Sequence, residues 1–111
     1  MTHWRFSISA LLFVLGWGCG SRELKVAEAE AFPPTFTNIR RRILEPRCVS
    51  CHSILVAHEQ LINGLVVPGK PSRSELYTVI ESGEMPSYGK KLEEPELNSI
   101  KTWIEKGAPN D

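Results

Sequence analysis

Cys48-Val49-Ser50-Cys51-His52 is the segment that most restricts what this chain can fold into. It sets two thiols three positions apart, with an imidazole directly after the second. If the segment turns helically, Cys48, Cys51 and His52 stand at i, i+3 and i+4, so their side chains leave one face of a single turn. That geometry suits covalent attachment of one c-type haem. The two sulfurs would form thioethers with the porphyrin vinyl carbons, and a ring nitrogen of His52 would sit beneath the iron as the proximal ligand.

Three other uses of the same residues compete. A thioredoxin-like redox pair needs a βαβ setting, and no strand-rich stretch flanks the motif. A zinc site would have only His58 left as a fourth donor, with Cys48, Cys51 and His52 packed too tightly to wrap a tetrahedron easily. A structural disulfide gives no reason for the histidine.

The N-terminus bears on the redox compartment. After Arg5, the run Phe6 to Leu15 is nearly all apolar, and Gly16-Trp17-Gly18 supplies small residues where a signal peptidase would cut, so residues 1–18 read as a signal peptide. The run is shorter than the roughly 20 residues a membrane-spanning helix needs. Bacterial haem attachment of this kind takes place outside the cytoplasmic membrane, so export and motif agree. Cys19, directly after Gly18, resembles the lipidated cysteine of bacterial lipoproteins, although that pattern prefers Leu where Gly16 stands. The alternative is ordinary cleavage that leaves an exported free thiol. Lipidation implies a membrane-anchored protein, periplasmic or extracytoplasmic.

The 111 residues suffice for one domain. Removal of the signal and tether leaves about 75, a size at which a hydrophobic core alone is marginal and a buried haem would make up the deficit. Thirteen basic residues balance thirteen acidic ones, which gives no argument for nucleic acid as a partner. A monomer is expected.

Residues 19–34, rich in Glu and Ala and closed by Pro33-Pro34, read as lipid-anchor cysteine and tether. The domain proper is then 35–111. Phe36, Ile39 and Ile43 mark an amphipathic first helix, expected to stop near Glu45 because Pro46 disfavours the helical conformation before it. Arg40, Arg41 and Arg42 fall on its solvated side. The stretch Ile54 to Leu65 reads as helical in part, with Gly64 at its end and His58 as a surface or core histidine. Ser72-Arg73-Ser74-Glu75 has the form of a capping box with Ser72 at the N-cap, and Leu76, Val79 and Ile80 give the helix behind it an apolar stripe. Met85-Pro86 follows on a loop. A last helix starts near Glu94-Pro95-Glu96, carries Leu97, Ile100 and Ile104 as its buried stripe with Trp103 at the border, and ends at Lys106-Gly107. The fold class is all-α.

With these elements placed, Phe36 to Pro109 resembles the small class I cytochromes c, in which N- and C-terminal helices cross beside a covalently bound haem. It is most similar to the bacterial domain called planctomycete-type cytochrome c. The likeness is carried by Ile43 to His52, by Pro68-Gly69-Lys70-Pro71 through Ser74-Glu75-Leu76-Tyr77, by Met85-Pro86, and by Ile100 to Ala108. Ser53 replaces a frequent glycine, and the segment from His52 to Pro68 is short for the family. The resemblance implies three to four short helices around one haem, and Met85 as the sixth iron ligand. Independently, Met85 is the methionine that remains after Met1 leaves with the signal, and it lies far enough from His52 to reach the opposite porphyrin face. A gap-filling core methionine is the alternative.

His/Met ligation fills both axial positions and implies one-electron transfer to and from redox partner proteins. Such a protein is an electron carrier and not an enzyme. An open sixth position would instead suit a peroxidase-like haem enzyme, and a third alternative is a haem-bearing interaction module. Lys90 and Lys91, just after the Met85 loop, are candidates for steering an acidic redox partner.

Overall fold

The computed structural model describes residues 31–111. The signal segment, Cys19 and most of the tether lie outside the described residues. Those described are helical or irregular with no strand among them, in agreement with an all-α class.

The first helical run opens at Thr35, whose Oγ1 accepts the Asn38 N–H at 3.2 Å. It consists of α1 (Phe36–Ile39), a π-helical stretch (Arg40–Leu44) and α2 (Glu45–Arg47). The run therefore does not stop at Glu45: it passes through Pro46 to Arg47. The π stretch explains this. The Glu45 N–H bonds five residues back, to the Arg40 carbonyl, and the widened turn accommodates a proline that has no N–H to contribute. Phe36, Ile39, Ile43 and Leu44 are buried along the inner face.

A 3-10 turn (Ser53–Val56) and α3 (His58–Gly64) follow. They bury Leu55 and Leu61. Pro71 then opens a second 3-10 turn (Pro71–Arg73), which takes up Ser72 and Arg73. Helix α4 (Glu75–Glu81) accordingly starts from Ser74, not from Ser72. The hydroxyl of Ser74, wholly buried, serves the preceding loop: it accepts the Val67 N–H at 2.9 Å and lies 2.8 Å from the Lys70 carbonyl, to which it donates. The expected capping box is therefore replaced by a tie across the loop.

Helix α5 (Glu94–Glu105) has its capping box at Glu93 and Glu96, with Pro95 in its first turn. Trp103 is fully buried between Ile100 and Ile104, so it belongs to the centre of the apolar stripe; Leu97 is only partly covered. Gly107 ends the helix at a φ of 97°, the left-handed conformation that glycine adopts without cost.

The ends of the domain lock together. Phe36 N–H donates to Asp111 Oδ1 at 2.8 Å, and Thr37 N–H donates to the Asp111 carbonyl at 2.9 Å, so the C-terminal residue satisfies orphan donors at the start of α1. Phe32, at the end of the segment read as tether, is buried on the core beneath the guanidinium of Arg42. A second lock joins α1, α3 and α5. Phe36 stacks on Trp103 with centroids 5.9 Å apart, His58 meets both rings edge-on, and His58 Nε2 donates to the Ala108 carbonyl at 2.7 Å.

Candidate functional site

Beyond Arg47 the chain leaves the helix and closes one tight turn. The N–H groups of Cys51 and His52 both reach the Cys48 carbonyl, at 3.2 and 2.8 Å, which are the i→i+3 and i→i+4 bonds of a single helical turn. Cys48, Cys51 and His52 thereby occupy successive positions on one short coil. Cys48 is half-buried; Cys51 and His52 are exposed. Both thiols are free, with no disulfide between them. Burial pushes the Cys48 thiol above its usual range, and the neighbouring Arg47 guanidinium pulls it part of the way back.

This turn lines a cleft of about 400 Å³. Met85 lines the same cleft. Its position follows from the end of α4: Gly83 at a φ of 79° reverses the chain, and the Met85 N–H returns to the Val79 carbonyl at 2.9 Å. The remaining walls are largely aliphatic, with Leu55, Leu65, Leu76, Val79, Ile80 and Leu92 contributing, while Glu75, Glu84 and Arg47 supply charge. Tyr88, nine-tenths exposed, and Ile54, more than half exposed, also line the cleft. A ligand-sized apolar cleft with a few convergent polar groups is the usual form of a cofactor site.

Of the residues singled out in the sequence, Cys48, Cys51, His52 and Met85 are brought together here. His58 is not among them; it is spent on Ala108 and the aromatic lock. Lys90 pairs with Glu93, and Lys91 donates to the Pro86 carbonyl, so both ammonium groups are engaged on the loop next to Met85. Cys19 lies outside the described residues.

The residue that sequence reasoning passed over is Arg47. Its guanidinium grips Glu96 with two parallel bonds, Nη1 to Oε2 at 2.9 Å and Nη2 to Oε1 at 2.8 Å, while Glu96 Oε2 also accepts the Glu93 N–H at 2.9 Å. A partial signal was present: Glu96 falls at the N3 position of a helix, where capping carboxylates occur. Nothing in the sequence pointed from there to Arg47.

The residues present fit a c-type haem better than the competing groups. The cleft lining holds one imidazole and one thioether, with two free thiols on the imidazole's own turn and the carboxylates of Glu75 and Glu84 beside them. Zinc would need about four closely grouped donors, and no group of three or more His, Cys, Asp or Glu suited to a metal ion occurs among the described residues. The chain matches no protein-family model, no curated protein and no solved structure.

Proposed function

We propose that this protein carries single electrons on one covalently bound haem c, in a small cytochrome c fold. The observation that carries the reading is that a single apolar cleft is lined both by the Cys48–His52 turn and by Met85. Cys48 and Cys51 would hold the porphyrin, and His52 and Met85 would hold the iron from its two sides. The haem supplies a reversible one-electron couple.

The protein's part is to keep that couple simple. Two axial side chains leave no position for a substrate. The aliphatic part of the wall would lower the local dielectric around the group and so favour its less charged, ferrous form. Tyr88 and Ile54, exposed at the cleft, offer apolar surface through which a redox partner could approach.

Denaturing electrophoresis checks the covalent bond: haem peroxidase stain should remain on the protein band and disappear when Cys48 and Cys51 are both changed to Ala. Optical spectra of the oxidised and reduced protein should show a low-spin haem. A colourless protein holding zinc would end the reading, and a high-spin ferric haem would favour the peroxidase-like enzyme.

Export and a lipid anchor at Cys19 form part of the same proposal. The mass of the mature N-terminal peptide is expected to be that of an acylated cysteine. A start at Ser21, or an unmodified Cys19, would remove the anchor and leave the carrier reading untouched.

A further inference from the structure

His52 makes its hydrogen bonds through its backbone: its N–H reaches Cys48 O, and its carbonyl accepts the Leu55 N–H. A ligating histidine is ordinarily oriented by a hydrogen bond from its second ring nitrogen to a carboxylate or carbonyl. Among the described residues no such bond is made by the His52 ring, so the turn that bears it carries its direction. That turn hangs from one backbone atom, the Leu44 carbonyl, which takes both the Cys48 and the Val49 N–H. These two bonds, at 2.9 and 3.0 Å, join the turn to the preceding helix at that one carbonyl.

Arg47 is the residue directly before the turn, and it lines the cleft. Its guanidinium fork is fixed on Glu96, a nearly buried carboxylate at the start of α5. Three residues of that helix, Ile100, Trp103 and Ile104, have no exposed surface. The chain thus secures the root of the turn to a second deeply buried helix, using a contact whose planar, two-bond geometry fixes angle as well as distance.

We infer that Arg47 and Glu96 form a positioning pair for His52: their fork sets the pitch of the Cys48–His52 turn, and through it the plane of the axial imidazole. The inference rests on the haem reading given above. A merely structural ion pair would tie the helices together without fixing the ring, so the test must separate stability from orientation.

Three variants do so. Arg47→Lys keeps the charge and loses the fork. Glu96→Gln keeps an acceptor for the Glu93 N–H and loses the charge. The double variant R47M/E96Q removes both charges, so neither is left buried without a partner, which is the circumstance in which replacing an ion pair costs little stability. In the ferric protein, the paramagnetic shifts of the haem methyl protons report the orientation of the axial imidazole. All three variants should retain covalent haem, and all three should show redistributed methyl shifts and a displaced midpoint potential, the double variant with a thermal midpoint close to that of the wild type.

Unchanged methyl shifts and an unchanged potential, in variants whose thermal midpoints fall, would show that the pair only stabilises the fold and would overturn the inference alone. A wild-type protein without covalent haem would overturn the carrier reading as well.

Discussion

Changing Met85 to Ala is expected to lower the reduction potential, abolish the weak sulfur-to-iron charge-transfer band of the ferric form, and open the iron to carbon monoxide or peroxide. Thioether sulfur is a soft, neutral ligand that favours ferrous iron, so its loss to water or to a nitrogen ligand disfavours reduction. A drop on the order of a tenth of a volt sits well inside the roughly 0.8 V range over which axial ligands move haem potentials. The substitution should not unfold the domain. Met85 is only partly buried, and its backbone bond to Val79 needs no side chain. Two cysteines and His52 would still hold the porphyrin. Spectroelectrochemistry and carbon monoxide titration measure the effects separately. If the wild-type protein already binds carbon monoxide readily and lacks the band, Met85 is a loop residue and the peroxidase-like alternative becomes the better one.

What could be read from the sequence divides by the range of the interactions involved. The Cys48–His52 turn was legible because its geometry is local: Cys48, Cys51 and His52 lie within one coil, and the i→i+4 bond that closes it links residues close in the chain. The stripe of α5 was legible in part for the same reason, with Trp103 at its centre and Leu97 only partly covered. Misjudgements arose where a local rule met a competing local structure. Pro46 obeys its restriction in an ordinary helix, yet here a π turn takes up the strain and the helix runs on to Arg47. Ser72 and Glu75 have capping-box spacing, yet Pro71 starts a 3-10 turn that moves the N-cap to Ser74. Contacts between distant parts of the chain left hardly a trace in the sequence. The Arg47–Glu96 fork joins residues 49 apart, and the bond from Phe36 N–H to Asp111 Oδ1 joins residues 75 apart. Neither follows from periodicity or composition.

The largest loss of stability is expected from Trp103→Ala. Trp103 has no exposed surface, stacks on Phe36, meets the ring of His58, and donates from Nε1 to the Pro109 carbonyl at 2.9 Å. Removing a buried indole typically costs about 3–5 kcal/mol, because the transfer energy of the ring is lost and a cavity remains. Total stability on the order of 0.1 kcal/mol per residue leaves a domain of this size little margin beyond that. With about 4–8 °C lost per kcal/mol in small domains, the thermal midpoint should fall by more than 10 °C. Trp103→Phe separates the causes. Phenylalanine keeps most of the aromatic volume against Phe36 and gives up the Nε1 bond, whose accepting carbonyl belongs to an exposed residue that water can serve, so the cost should be nearer 1–2 kcal/mol. Since Trp103 does not line the cleft, the folded fraction of either variant should keep wild-type axial ligation in its ferric spectrum. A Trp103→Ala protein that melts within a few degrees of the wild type would mean that the proposed haem, and not the lock of α1, α3 and α5, supplies most of the stability. The apolar cleft walls would then be the core that matters.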